Sequence, residues 1–318
     1  MRYWIWLVIP ILFGCRNQPD SQIEQIPPKH PGLYKSSLIA TGMNERDITF
    51  SPDGSKIVFS VWSGNAGTLL KTEKTDRGWT TPEVVPFSGI YSDVEPFITP
   101  DGNHLFFASN RPLNIDGASK DYDIWRSDRV NGAWSAPVNL GAPVNSEEDE
   151  FYPTVSSSGT LCLTGKREGQ RDEDIFLCKK SKNGYLAPER LSDSVNSRGA
   201  EFNALIAPDE SFLIFSGWGR KDGMGGGDLY ISFRSENGGW KPAINMGTAV
   251  NSQALDYCPA LHPDGKAFFF TSRRTPADIT QNAERTYENL LHWHQNPQNG
   301  NSDIYWMHAS VIDSLQGG

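Results

Sequence analysis

The stretch that most constrains this chain is DVEPFITPDGNHLFFASNR, residues 93–111, in which two runs of mixed apolar and polar residues flank Pro100-Asp101-Gly102. Proline presets φ and glycine accepts positive φ, so the chain reverses there and the flanking runs become the two strands of a hairpin. Four other stretches repeat the design: ERDITFSPDGSKIVFSVWS from Glu45, EFYPTVSSSGTLCLTGKR from Glu150, EFNALIAPDESFLIFSGWGR from Glu201 and DYCPALHPDGKAFFFTSRR from Asp256. With Gly54, Gly102, Gly159, Glu210 and Gly265 as equivalent turn positions, the steps are 48, 57, 51 and 55 residues. A period of that length marks an array of small units, each unable to bury its faces alone.

Each hairpin leads into a third strand, at Asp123 (DIWRS), Asp174 (DIFLC), Asp228 (DLYIS) and Asp303 (DIYWM), with TLLKT from Thr68 as a degenerate first copy. A fourth strand follows an aromatic and proline signal: GWTTP from Gly78, GAWSAP from Gly132, GYLAP from Gly184 and GGWKP from Gly238. Four strands make one propeller blade. The last copy has no fourth strand after IYWMHASVI, whereas LYKSSLIATG ahead of Glu45 belongs to no copy. A propeller closes by giving its last blade a strand from the other terminus, so the two leftovers match. The sequence therefore predicts an all-β, five-bladed β-propeller over residues 33–316, its last blade completed by residues 33–41. Thirty glycines and 21 prolines suit this turn-rich architecture, and 37% hydrophobic residues in 318 suffice for its core. Residues 275–302 interrupt the last blade between its second and third strands, and AERTYENLLHWH within this insert has helical spacing.

The SPDG hairpins, the DIY third strands and the VNS joints resemble the repeats of TolB-type, WD-like bacterial β-propellers. The resemblance covers residues 33–316 and implies the fold more than a function. TolB-like propellers usually have six blades and lack a comparable insert.

Residues 1–15, MRYWIWLVIPILFGC, place Arg2 before an apolar run from Tyr3 to Phe13 and end in Leu12-Phe13-Gly14-Cys15. The run is short for a bilayer span and has the shape of a signal-peptide core. Its last four residues resemble the bacterial lipobox, which implies that Cys15 is acylated and anchors an exported lipoprotein to a membrane, the outer membrane being expected, on its periplasmic or surface face. The other reading is an ordinary hydrophobic N-terminus with an incidental cysteine. Residues 16–32 read as a polar, proline-bearing tether. Cys162 and Cys178 lie on neighbouring strands of one blade, where they either face each other as a disulfide or point to opposite faces. Cys258 is expected in the core.

Nine residues before each turn position stand Glu45, Asp93, Glu150, Glu201 and Asp256, five carboxylates expected around one mouth of the central channel. Arg111, Arg167, Arg220 and Arg273 (or its neighbour Arg274) return on the second strand to the same level, and residues equidistant from a turn face each other. Glu45 has no basic counterpart and faces the region of Ser63. The ring reads either as structural ion pairs or as a ligand-binding centre. Recurrence favours ion pairs, because a fold demands what every blade repeats, whereas a catalytic centre breaks the symmetry. The same reasoning makes the periodic Trp79, Trp134, Tyr185 and Trp240 packing residues rather than a sugar-stacking platform.

No cofactor and no metal are expected. Gly223 to Gly227 lack the lysine-serine pair and helix of a phosphate loop, His292 and His294 at i, i+2 on a helix point apart, and no Gly-x-Ser-x-Gly elbow is present. The net charge of −9 argues against nucleic acid as a partner. The expected function is a non-catalytic platform in the cell envelope that binds an envelope protein or glycan. The alternative is a glycoside hydrolase or lyase using carboxylates of the central funnel.

Overall fold

The computed structural model describes residues 26–35, 37–114, 117, 119–167, 169–276 and 284–317. The proposed signal and anchor, Cys15 included, lie outside them, as do residues 277–283 of the insert.

Positive φ at each hairpin turn is supplied by Gly54, Gly102, Gly159 and Gly265, with φ between 66° and 90°. In the fourth hairpin Glu210 holds the same conformation at φ 60°. Its carboxylate compensates by receiving Arg234 at 2.6 Å and the hydroxyls of Ser156 and Ser158 at 2.9 and 2.6 Å from the preceding blade.

From these turns unfold five antiparallel blades. The first contains Glu45–Phe50, Lys56–Ser63, Ala66–Thr75 and Glu83–Val84. The second contains Asp93–Ile98, His104–Ser109, Asp123–Val130 and Val138–Asn139, and the third Glu150–Val155, Leu161–Gly165, Asp174–Cys178 and Glu189–Arg190. The fourth runs Ala200–Ile206, Phe212–Trp218, Asp228–Phe233 and Ile244–Asn245. In the fifth, Asp256–Leu261, Ala267–Ser272 and Asp303–His308 are joined by Gly32–Leu33 from the other end of the chain. Leu33 pairs with Tyr305, and the Tyr34 N–H reaches the Ile304 carbonyl at 2.9 Å.

The closing strand is shorter than residues 33–41. Ser37 to Ala40 instead turn back on themselves, the Ser37 N–H donating to the Ala40 carbonyl, and bury Ile39 between the first and last blades. The aromatic signals also fall one step before the fourth strands. Gly78–Trp79 and Ala133–Trp134 pair with the far tips of the third strands, and the chain then crosses a proline to reach the third strand's body at Glu83–Val84 and Val138–Asn139.

The core lies between blades. Phe50, Ile57 and Phe59 of the first blade pack with Ala260, Phe269 and Trp306 of the fifth, and Tyr34 seals the joint from the closing segment. Burial of one such aromatic contributes roughly 1.5–3 kcal/mol. Trp79 packs on this cluster, Trp134 on the one between the first and second blades, and Tyr185 and Trp240 on the next two. Cys162 stands opposite Leu177 and Cys178 opposite Leu161, so the two thiols are one residue out of register on opposite faces, and both are free.

In the insert, helix α1 (Tyr287–His294) is N-capped by Thr286, whose hydroxyl accepts the Asn289 N–H at 3.2 Å. Helix α2 (Ser310–Gln316) follows the last strand and buries Ile312. Among the described residues no helix is long and apolar enough to cross a membrane.

Candidate functional site: the central channel

The five ring carboxylates are fully buried, and the geometry makes four of them staples to the segment upstream, while Asp93 is held by Ser109 and Arg111. Glu150 accepts the Ser146 N–H at 3.1 Å and hydroxyl at 2.6 Å, and Glu201 accepts those of Ser197 at 2.8 and 2.6 Å. Asp256 binds Ser252 in the same way, and Glu45 binds Thr41. Each acceptor lies four residues after its donor, so the carboxylate caps the joint by which the chain enters the blade. The arginines complete it: Arg167 Nη1 lies 2.6 Å from Glu150, Arg220 Nε 2.9 Å from Glu201, and Arg111 Nη2 2.5 Å from Asp93. Arg167, Arg220 and Arg274 also donate to the carbonyls of Val144, Val195 and Val250, the valines of the VNS joints. The asparagines of those joints, Asn145, Asn196 and Asn251, bond both N–H and C=O of Ile124, Ile175 and Leu229 on the third strands.

Asp256 is paired by Arg274 at 2.6 Å, not by Arg273. Register gives the reason. Asp93, Glu150 and Asp256 stand opposite Ser109, Gly165 and Ser272, and the residue two positions further returns to the same strand face, which selects Arg111, Arg167 and Arg274. Arg273 points away and donates to the Ser302 hydroxyl at 3.3 Å.

Two residues beyond each ring carboxylate, every inner strand carries a β-bulge whose residue has positive φ: Asp47, Glu95, Tyr152, Asn203 and Cys258, between 49° and 58°. The bulges turn these five side chains together in the interior of the ring, where Asp47, Glu95, Asn203 and Cys258 bond to one another or to Arg46 and the Tyr152 hydroxyl donates to the Pro259 carbonyl at 3.0 Å. Unlike the ring carboxylates they differ in every blade. Strained non-glycine backbone of this kind persists where the surroundings over-determine it and clusters at functional sites. Here the freed amides of Asp47, Glu95 and Asn203 donate to Thr271, Ser60 and Thr164 of the preceding blade at 3.3, 3.1 and 2.8 Å. The second blade has Ala108 at that place, and the Tyr152 amide donates instead to Glu95 Oε2 at 2.7 Å.

Arg46 closes the cluster. Its Nε lies 2.8 Å from both Asp47 oxygens, and its Nη2 lies 2.8 Å from Glu95 Oε1 and 3.5 Å from Cys258 Sγ. The guanidinium stacks 4.9 Å over the Tyr257 ring. Asn203 Nδ2 adds a bond to Glu95 at 3.0 Å. Two carboxylates thus share one guanidinium, with Asp47 1% and Glu95 5% exposed. Burial holds Glu95 above the usual carboxylate range, against the pull of Arg46. Burial likewise pushes the Cys258 thiol well up: Cys258 lies in the core as expected, packed with Tyr152 and Tyr257 beside the polar cluster.

On the side of the hairpin turns the channel widens into a funnel of about 600 Å³. Its wall includes Pro52, Pro100, Pro208 and Pro263 of four turns, with Phe97, Leu205, Phe212 and Leu261, and Ile312 of α2 at the rim. Glu95 and Tyr152 stand at its inner end, and none of the ring carboxylates lines it. No trio of His, Cys, Asp or Glu is disposed to hold a metal among the described residues. His292 Nδ1 is met by Asn296 instead of by a second histidine.

No protein-family model matches the chain, and no curated protein does. Among solved structures it is similar to the α-L-arabinofuranosidase PaAbf62A from Podospora anserina, with a TM-score of 0.52 and 11% identity over 89% of this chain and 98% of that one. It is similar to a protein assigned as TolB from Agrobacterium tumefaciens, with a TM-score of 0.50 and 14% identity over 84% and 90% of the two chains. A GH43 endo-arabinanase from Bacillus licheniformis gives 0.50 and 11% over 86% and 95%. At such identities the likeness is one of fold: the chain is a β-propeller of five blades, an architecture it shares with the TolB and glycosidase structures.

Proposed function

We propose that this protein is a non-catalytic binding platform of the bacterial cell envelope, exported, anchored through lipid on Cys15, and holding an envelope partner at its central channel. The observation that carries the reading is a contrast within the channel. The symmetry-breaking polar residues are closed on one another by Arg46, while the open volume beside them is walled by proline and apolar side chains. A space of that size and lining buries an apolar segment of a partner and offers few groups to a reaction. The glycosidase alternative needs one carboxyl free to give a proton and another free to attack or to activate water. Both oxygens of Asp47 and both of Glu95 are instead engaged, at 2.7 to 3.0 Å. Two of the similar structures are an α-L-arabinofuranosidase and an endo-arabinanase and one is assigned as TolB, so the fold does not choose between the readings; the engaged carboxylates of the channel support the binding one.

The test is a pair of measurements on the soluble domain, residues 16–318. A screen against envelope and dietary polysaccharides, read for new reducing ends and for unsaturated products, is expected to show no turnover. Capture from envelope extracts is expected to retain a partner that Leu261→Arg, in the funnel wall, releases. Turnover abolished by Glu95→Gln in a still-folded protein overturns the reading. Cys15→Ser is expected to release the full chain from the membrane fraction.

A further inference from the structure

At each blade interface the ring carboxylate of one blade lies against the start of the third strand of the blade before it. The Glu150 N–H donates to the Tyr122 carbonyl, the Glu201 N–H to Glu173 and the Asp256 N–H to Gly227. Charge is balanced or nearly so at four of the five interfaces. Glu150 and Asp123 meet Arg167 and Lys120, Glu201 and Asp174 meet Arg220 and Arg190, and Asp256 and Asp228 meet Arg274 and the Asn245 amide. Asp93 meets Arg111.

The fifth interface, between the last blade and the first, breaks this rule twice. Glu45 stands opposite Val61, so the arginine position two residues on is Ser63. Asp303 opens the third strand of a blade whose fourth strand is Gly32–Leu33, and Leu33 holds the place where Asn139 serves Asp123. The segments that carry the two carboxylates are tied together by Asn44, whose Oδ1 accepts the Ser302 N–H at 3.0 Å. One oxygen of each is used: Glu45 Oε1 by Thr41, and Asp303 Oδ2 by the Gln298 N–H at 2.6 Å. The other two, Glu45 Oε2 and Asp303 Oδ1, are buried with no hydrogen-bond partner, on side chains 0% and 1% exposed. Asp93, Asp121 and Asp228 also leave one oxygen open, but at interfaces that Arg111, Lys120 and Arg274 serve. A buried carboxylate pair with no counter-charge is strongly disfavoured unless something neutralises it.

We infer that this seam is a calcium site, in which Glu45 Oε2 and Asp303 Oδ1 bind a hard divalent cation standing in for the arginine that Ser63 replaces. Calcium is the cation of choice because the surroundings are oxygen-rich and irregular, drawn from 41–45 and 298–303, and it accepts varied coordination where magnesium demands an octahedron. The site would rivet three separate segments: the entry to the first blade, the third strand of the last, and the end of the insert. The insert already presses closely here, since a Cβ on Gly42 would lie 2.8 Å from the Asn296 backbone, and Asn299 Nδ2 donates to the Gly42 carbonyl at 2.8 Å. Carboxylate ligands must be deprotonated to bind a cation, so protons compete for the place. The other titratable groups packed on the seam are turned to other partners: Arg273 and Tyr257 to Ser302, Arg274 to Asp256, and Tyr305 to Gln298.

The experiment is calorimetric titration of the full chain, purified in detergent and freed of metal by a chelator, with calcium chloride at about pH 8, where proton competition is weak. One calcium per chain and a rise in unfolding temperature on adding it are expected. Affinity should fall at least tenfold in Glu45→Gln and in Asp303→Asn, and should be kept in Glu150→Gln, whose carboxylate has its arginine. Ser63→Arg supplies the missing guanidinium without touching a ligand. It should raise the unfolding temperature in chelator and abolish the response to calcium. Absence of binding at millimolar calcium, or binding unchanged in both Asp303→Asn and Ser63→Arg, overturns the inference.

Discussion

Two residues apart on the same inner strands, the ring position and the bulge position use carboxylates in opposite ways. At the ring, Glu150 or Glu201 caps a backbone N–H four residues upstream and is met by an arginine that also holds the joint's carbonyl. The arrangement recurs because every blade needs the same entry. At the bulge, Asp47 and Glu95 have no counterparts in the other blades, and one arginine serves both. The difference teaches where individuality resides in a repeat protein. What is repeated positions the strands, and what is not repeated gathers on the axis, where five unlike blades contribute one side chain each.

The largest effect should come from breaking the axis. Arg46→Ala leaves Asp47 and Glu95 buried without a counter-charge, a change that costs about 3–5 kcal/mol. Urea unfolding followed by tryptophan fluorescence measures it. Adding Asp47→Asn and Glu95→Gln to that variant removes the uncompensated charges and should recover most of the loss. If Arg46→Ala is neutral, the cluster is not an ion-paired plug, and the case against a free catalytic carboxylate weakens with it.

Breaking the ring should cost less. Glu150→Gln weakens the bonds to Ser146 and leaves the largely buried Arg167 without its carboxylate, for a loss of about 1–3 kcal/mol. Partner capture should be unchanged, because Glu150 does not line the funnel. The comparison sharpens at the one ring member without an arginine: in chelator, Glu45→Gln removes a buried charge that nothing neutralises and should raise the unfolding temperature. Opposite signs for the same substitution in two blades would separate the paired interfaces from the unpaired seam. A loss in both would merge them.

The ring was legible in the sequence because counting from a turn is enough to predict who faces whom across a hairpin. Closure was legible for a similar reason, as a strand lacking at one end and left over at the other. The choice between Arg273 and Arg274 was not settled by counting, since the hairpins differ in length by a residue; only the observed pairing of Asp256 with Ser272 decides it. The axial cluster stayed hidden for a stronger reason. Strict alternation puts residues 45 and 47, or 93 and 95, on one face of a strand. The bulge breaks that alternation and re-aims the second residue. Asn203 and Asp47 tolerate positive φ, but glutamate, tyrosine and cysteine do so rarely, so Glu95, Tyr152 and Cys258 gave no local sign of the bulge. The available signal was the mismatch itself: Asp, Glu, Tyr, Asn and Cys at one position of an otherwise repeating motif.

The smallest effect expected is in the pH profile, and its sign distinguishes the buried carboxylates from those of the hairpin turns. Burial raises Glu45 to about 7 and Asp303 to about 6, and it raises Glu150 and Glu201 as well. An acid whose folded pKa lies above its unfolded value of about 4 binds protons on folding. Its contribution to stability is therefore complete below that value and is lost as pH climbs through 6 and 7. The turn aspartates act the other way. Hydrogen bonds from the Ser51 hydroxyl hold Asp53 down at about 2, and those from Ser211 lower Asp209, so their contribution is present above about 4 and is lost as pH falls. These turn groups are largely exposed, and solvent screening keeps their share small. Calcium-free protein should accordingly melt at a higher temperature at about pH 5 than at about pH 8, with a shallow fall again below about pH 4. Scanning calorimetry across that range decides it, and two variants assign the limbs. Glu45→Gln should flatten the fall above pH 5, and Asp53→Asn should blunt the fall below pH 4. A profile that rises steadily from pH 5 to pH 8 in chelator would mean that the buried carboxylates are ionised at little cost, and that the seam and the axis hold counter-charges which the present pairing does not provide.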